Sequence, residues 1–213
     1  MTRKTSIALA ITIAIVAVIA GMLLSRAMIE RMSASDTVAL VSGTLLEPPR
    51  PLPTFELVDQ TNAAFTQEDL RGQWTFMFFG FTNCPDVCPT TLRMLAQTKQ
   101  SLSDLAPELQ PRVVLLSVDP SRDTPEQLAK YVSFFDPAFV GLTGSQQAVD
   151  DLTRKIGVPV AITPLDGGGY TVDHSAAIFL VDPSGALRAL FSPPHSPQTI
   201  ADDYRRVVAA KAH

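Results

Sequence analysis

Residues 74–89 read WTFMFFGFTNCPDVCP and decide the fold. The nearly continuous apolar run from Trp74 to Phe81 is typical of a central strand that is covered on both faces. Cys84 and Cys88, the two cysteines of the chain, follow that run directly. Two thiols at one strand-to-helix turn can close a disulfide, or they can hold one soft metal ion as thiolates. The sequence therefore places its chemistry at the end of a buried strand.

The segments around this strand predict an alternation of strands and helices. Strands are predicted at 113–118, 139–142, 176–181 and 187–191, with a short hairpin near 55–62, a loop tip at 167–169 and a turn at 182–185. Helices are predicted at 90–105, 124–135, 145–156 and 197–212. Such an order predicts an α/β domain with a mixed sheet and helices on both faces. Cys84 and Asp119 each follow a strand, so both are expected at one edge of the sheet.

The cysteine spacing favours a metal over fast disulfide exchange. Three residues separate Cys84 from Cys88, one more than in thioredoxin-type redox motifs. If Cys88 lies in the first turn of a helix, the helix dipole favours its thiolate and that of Cys84. A plain structural disulfide remains an alternative. A structural zinc site would need four ligands, more than these cysteines and one histidine supply.

Two thiolates and one imidazole make a three-coordinate site that suits Cu(I). His174 precedes the strand at 176–181, and in a thioredoxin-like sheet the loop before this strand faces the helix that bears the cysteines. His174 is therefore the predicted third ligand, and Asp173 could fix its tautomer through a hydrogen bond. His195 and His213 are interpreted as solvated bystanders. Asp119 is expected either to cap a turn or to orient a ligand or a basic side chain near the thiolates.

The N-terminal segment predicts a membrane anchor. Ile7 to Leu24 carry no charge and would form a helix about 27 Å long, near the thickness of a hydrocarbon core. A cleaved signal peptide is the competing interpretation, although its apolar region is usually shorter. We expect a cytoplasmic N-terminus at 1–6, a transmembrane helix at 7–26, a tether at 27–50 and the α/β domain at 51–213.

The charges indicate where the domain lies and which partners it excludes. Arg3 and Lys4 precede the apolar run, so the positive-inside rule places the domain on the outer side of the membrane. That location is the periplasm for an inner-membrane protein, or the intermembrane space if the protein is mitochondrial. The net charge is −4 and no basic cluster follows the anchor, which excludes nucleic acid as an expected partner.

Three motifs in this order resemble the Sco/SenC family: CPDVCP at 84–89, SVDP with RDTP at 117–125, and VDHS with DPSG at 172–185. The resemblance covers about Leu52 to Tyr204. It implies a thioredoxin-like fold and a copper ion, Cu(I) or Cu(II), held by Cys84, Cys88 and His174. It also implies a role in assembling the binuclear copper centre of cytochrome c oxidase. A glycine common in the early hairpin of that family is replaced here by Asn62-Ala63.

Two functions follow from these expectations. In the first, the protein is a copper metallochaperone, not strictly an enzyme, that passes copper to the copper-site subunit of the oxidase and receives it from a periplasmic donor. In the second, it is a thiol-disulfide oxidoreductase that reduces the cysteines of the oxidase site, with Cys84 as the nucleophile and Cys88 resolving; a separate thiol reductant would then be a partner. A peroxidase of the peroxiredoxin type would use one activated cysteine, so the pair argues against it.

Overall fold

The computed structural model describes residues 13–26 and 39–211. Residues 13–26 are helical and belong to one compact unit, and Ala39 begins the second. Within these described ranges, no helix has the length and apolar character needed to cross a bilayer. The predicted N-terminus at 1–6, the first part of the predicted anchor at 7–26, the first half of the predicted tether at 27–50, and His213 lie outside the described residues.

The second unit is built on a mixed sheet of eight strands, with a separate sheet of two. In chain order the ten strands are β1 (Gly43–Pro51), β2 (Glu56–Asp59), β3 (Ala64–Thr66), β4 (Thr75–Gly80), β5 (Arg112–Ser117), β6 (Val140–Thr143), β7 (Val160–Pro164), β8 (Tyr170–His174), β9 (Ile178–Val181) and β10 (Ala186–Phe191). The sheet order is β1-β10-β9-β4-β5-β6-β2-β3, with β4, β5 and β6 parallel and the other pairs antiparallel. β7 and β8 form a separate two-stranded sheet.

Four helices flank the sheet, close to where the sequence predicts them. They are α1 (Val87–Ser101), α2 (Pro125–Phe135), α3 (Gln146–Ile156) and α4 (Pro197–Lys211). The hydroxyl of Thr124 accepts a hydrogen bond from the amide of Gln127, and a proline at the first position suits the start of α2. The predicted mixed α/β architecture is confirmed.

β4 forms the centre of the core, as the sequence predicts. All six of its residues are buried, and the strand is paired on both sides, with β5 and with β9. On one face Phe76 packs against Tyr204 of α4, and on the other Phe79 packs edge-on against Phe179. Burying aromatic side chains on both faces stabilises the strand that leads to the cysteines.

The predicted tether ends earlier than residue 50, because residues 43–51 form the edge strand β1 and pair with β10. Pro48, Pro49 and Pro51 suggested an extended linker, but an edge strand tolerates proline because its outward amides need no partner. The carboxylate of Asp203 on α4 accepts hydrogen bonds from the three consecutive amides at 41–43, which fixes the start of this strand. The predicted domain boundary at 51 is therefore too late.

The β7–β8 hairpin is a second difference from the sequence-based prediction. The glycines at 167–169 form its tip, as expected, and Gly168 and Gly169 adopt positive φ. The strands on either side were not predicted. His174, expected in a loop before β9, is instead the last residue of β8, opposite Val160.

Candidate metal centre

The parallel pairing of β4 and β5 creates the edge at which the site lies. Gly80 at the end of β4 stands opposite Ser117 at the end of β5, and the amide of Val118 donates to the carbonyl of Gly80. The loops that follow the two strands therefore begin side by side. This arrangement confirms the prediction that Cys84 and Asp119 share one edge of the sheet.

The two cysteines lie at the N-terminus of α1. Cys88 is the second residue of the helix and is fully buried, whereas Cys84 precedes the helix and is partly exposed. Both are free thiols. The amide of Cys88 donates to the Sγ of Cys84 at 3.4 Å, so one of the unpaired amides of the helix end is directed at a sulfur. The four-residue spacing therefore places both sulfurs at one helix end, as the sequence suggests.

His174 lies beside the two cysteines and is the third member of the candidate metal-binding group. One ligand atom from each of Cys84, Cys88 and His174 lies within 4.8 Å of the other two. The Nδ1 of His174 is 3.0 Å from the carbonyl of Ser175, which can only accept, so Nδ1 carries the proton. Its Nε2 therefore has a free lone pair, and this atom lies 3.4 Å from the Sγ of Cys88. The geometry leaves Nε2 available to a metal.

Asp173 does not fix the tautomer of the histidine. Its carboxylate accepts a hydrogen bond from the hydroxyl of Thr163 at 2.7 Å, across the hairpin, and the residue is exposed. Neighbouring residues on a strand point to opposite faces, so the Asp173 side chain points away from the face that carries the His174 ring. The carbonyl of Ser175 performs the role that the sequence suggested for Asp173.

Burial controls the protonation of the side chains in this centre. Desolvation raises the pKa of the Cys88 thiol, and it lowers the pKa of His174. At Cys88, desolvation therefore opposes the thiolate that the helix dipole was expected to favour. The neutral thiol can donate to the neutral imidazole. Phe78 and Phe81 pack edge-on against the His174 ring, with centroids 6.0 and 5.7 Å away, and add to its desolvation.

The centre opens on a surface depression of about 240 Å3. Cys84 and His174 line it, together with the exposed side chains of Pro85 and Val87. A protein ligand from another molecule could therefore reach the sulfur of Cys84 without unfolding the site.

Asp123, which the sequence did not single out, holds the cysteine loop in place. It is fully buried and accepts from the amide of Thr82 at 3.0 Å, from the hydroxyl of Thr82 at 2.6 Å and from the hydroxyl of Ser117 at 2.6 Å. These bonds join the residues that follow β4 to those that follow β5. Burial raises the pKa of Asp123. The position of Asp123 in a motif next to β5 gave no signal of this contact.

Asp119 orients a basic side chain, one of the two roles expected for it. Its carboxylate pairs with the Nε of Arg122 and accepts from the hydroxyl of Tyr170 at 2.8 Å. The guanidinium of Arg122 stacks 3.9 Å from the Tyr170 ring centroid. Arg122 is therefore held by this stacking and by its ion pair with an almost fully buried carboxylate.

The structure also shows the surroundings of His195 and Tyr131. His195 lies outside the group: its Nε2 donates to the carbonyl of Ala176 at 2.8 Å. Tyr131 on α2 has a buried hydroxyl with no hydrogen-bond partner among the described residues. Burial, followed by the nearby Cys88, Cys84 and Asp123, raises the pKa of this phenol.

Fold and site together define a class of protein: an α/β domain whose sheet edge carries two cysteines and a histidine arranged to bind one soft metal ion. The chain belongs to the SCO1/SenC family, whose family model matches residues 45–209. This confirms the resemblance drawn from the three sequence motifs.

Known relatives agree with this assignment. The human mitochondrial protein SCO2 homolog is 40% identical over 158 residues, which cover 73% of this chain and 59% of that protein. Arabidopsis thaliana ScoI, solved with copper bound, superposes with a TM-score of 0.70 at 31% identity over 74% of this chain and 98% of that chain. Yeast Sco1 with copper bound gives a TM-score of 0.68 at 32% identity over 78% and 91% of the two chains.

Proposed function

We propose that this protein is a membrane-anchored copper chaperone that binds one copper ion through Cys84, Cys88 and His174 and delivers it to the binuclear copper site of a cytochrome c oxidase. One observation carries the proposal. The ligand atoms of these residues, which are far apart in sequence, lie within 4.8 Å of one another at the rim of the domain. Copper-bound structures of Arabidopsis ScoI and yeast Sco1 support copper as the metal.

The donor set suits Cu(I), since soft thiolates and an imidazole favour it and three ligands satisfy it. Copper binding requires both thiols to lose their protons, so binding releases protons and becomes weaker in acid. The Nε2 of His174 needs no deprotonation, because the proton of the ring is on Nδ1. The imidazole is therefore ready to coordinate, and both sulfurs become ligands as their protons leave.

Transfer proceeds by ligand exchange. Cysteines or histidines of the acceptor enter the depression and replace the three ligands one at a time, so copper never becomes free. The apolar run at 7–24 anchors the chain in the inner membrane, with the domain in the periplasm or, in a mitochondrion, the intermembrane space. Anchoring near a membrane-bound acceptor raises the effective concentration of the domain.

A thiol-disulfide reductase is the second candidate function, and the unequal burial of the cysteines favours it. A partly exposed Cys84 can attack a disulfide of the acceptor, and a buried Cys88 can resolve the mixed disulfide. The two electrons come from the protein dithiol, which becomes a disulfide. His174 distinguishes the two functions, because exchange needs only the two sulfurs.

Anaerobic Cu(I) titration of the full chain in detergent micelles tests the proposal. We expect one ion per chain, with X-ray absorption showing two sulfur neighbours and one nitrogen neighbour. His174→Ala should lose the nitrogen neighbour and the tight binding of copper, whereas His195→Ala, the matched control, should bind like the parent. Oxidase assembly that is fully supported by His174→Ala would overturn copper delivery and leave thiol reduction as the function.

A further inference from the structure

The hairpin that carries His174 lies outside the main sheet. β7 and β8 pair with each other and not with any strand of the eight-stranded sheet. The ladder that fixes the position of the cysteine loop therefore does not fix the position of the histidine. Other contacts must set the distance between His174 and the two sulfurs.

Arg122 provides such contacts at the start of β8. Its Nη1 donates to the carbonyl of Tyr170 at 3.0 Å, and its guanidinium stacks 3.9 Å from the centroid of the same residue. Asp119 pairs with the Nε of Arg122 and accepts from the hydroxyl of Tyr170, so it orients both side chains. A planar guanidinium can stack and donate in a fixed direction at the same time, which a lysine cannot do.

Arg122 also reaches the histidine through an aromatic ring. Its guanidinium lies 5.7 Å from the centroid of Phe81, and Phe81 packs edge-on against His174 with centroids 5.7 Å apart. Phe81 immediately follows β4, on the route to the cysteines. Arg122 therefore touches both the strand that carries the histidine and the segment that carries the sulfurs.

We propose that Arg122 is a positioning residue that clamps the β7–β8 hairpin against the cysteine loop. In this way it keeps the Nε2 of His174 close enough to the two sulfurs for all three atoms to bind one metal ion. The inference rests on the proposed function for its effect on copper, but the clamp itself exists in the metal-free protein. A merely stabilising role for Arg122 is the competing account, and it predicts a uniform loss of stability instead of a loss confined to the hairpin.

The first test uses the metal-free full chain in micelles and measures amide hydrogen exchange. In Arg122→Ala we expect the amides of β8 to exchange at least tenfold faster, while those of β4 keep the parent rate. The β8 amides of Arg122→Lys should exchange about as fast as those of Arg122→Ala. Lysine keeps the charge, but it has no planar group that can stack on the ring and donate hydrogen bonds in fixed directions. The control is Arg154→Ala, which removes an exposed arginine that pairs with Asp151 within α3. Equal acceleration in β4 and β8, or none in β8, would overturn the clamp.

The second test is a double-mutant cycle for Cu(I) affinity. Arg122→Ala should weaken binding about 10-fold in the parent and reduce the nitrogen contribution in X-ray absorption. In the His174→Ala background it should change affinity less than twofold, because the histidine through which it acts is gone. An equal loss in both backgrounds would show that Arg122 acts on the sulfurs and not through His174. If the parent itself binds no copper, the proposed function fails, and the exchange measurement still decides the clamp.

Discussion

Gly80 and Cys88 are in such close contact that residue 80 has no room for a side chain. A Cβ on Gly80 would lie 2.8 Å from the Sγ of Cys88 and 2.9 Å from the ring of Phe78. The missing side chain at the end of β4 is thus what allows the buried sulfur to lie against the strand.

Gly80→Ala should therefore disturb the centre directly. The new methyl group must displace Cys88 or Phe78, and overpacking of this kind costs about 1–3 kcal/mol of unfolding free energy. We expect Cu(I) affinity to fall together with the urea midpoint. Gly167→Ala is the matched control, since a Cβ there meets nothing within 4 Å. Unchanged affinity in Gly80→Ala would contradict the tight contact.

Asp123→Ala should destabilise the domain strongly. Its loss leaves the amide and hydroxyl of Thr82 and the hydroxyl of Ser117 without their acceptor, at a cost of about 2–3 kcal/mol. Chemical denaturation measures the difference. Asp151→Ala removes a more exposed carboxylate that pairs with Arg154 and should cost no more than about 0.5 kcal/mol. Equal effects of the two substitutions would show that the buried contacts are not what stabilises the cysteine loop.

The buried carboxyl of Asp123 should also leave a signature in the pH dependence of stability. Burial raises its pKa in the folded protein above the ordinary value of 3.8, so the folded state binds the proton more tightly than the unfolded state. Its contribution to the free energy of unfolding is fully present below pH 3.8 and is lost as the pH rises through the raised value. Asp123→Asn removes this contribution. The stability of the parent relative to Asp123→Asn should therefore increase as the pH is lowered through that window, and a constant difference would refute the raised pKa.

Two tyrosines should respond differently to loss of the hydroxyl. Tyr131→Phe removes a buried hydroxyl that has no partner in the described part of the chain, so stability should stay constant or rise by up to about 1 kcal/mol. Tyr204→Phe removes a hydroxyl that donates to the carbonyl of Leu109 at 2.5 Å and should lose about 1 kcal/mol. Thermal unfolding of both metal-free variants checks the contrast. A loss in Tyr131→Phe would show that its hydroxyl has a partner, such as an ordered water.

Local signals account for what could be predicted. Thr124 and Pro125 define the start of α2, and the uninterrupted apolar run defines β4, because capping and burial act over a few residues. The cysteine spacing and the parallel order of β4 and β5 placed the candidate site at the correct edge. His174 lies beside the two cysteines as expected, although the sequence put it in a loop and the structure puts it at the end of a strand.

What the sequence missed depends on contacts between distant residues. β1 was hidden because its prolines are tolerated only at the edge of a sheet, and the position of the edge is a tertiary property. The Asp123–Thr82 contact spans 41 residues and the Arg122–Tyr170 contact spans 48. Neither contact produces a periodic pattern in the sequence. The contact between Arg122 and Tyr170, which lies beside the Gly-rich tip of the hairpin, can therefore be seen only in the folded structure.

If the protein delivers copper as proposed, the unequal burial of the two sulfurs gives the release a direction. Cys88 is enclosed, whereas Cys84 lines the surface depression. An incoming thiolate would therefore displace Cys84 before Cys88. The ion would leave outward along a single path, with its inner side shielded from water until the acceptor already holds it.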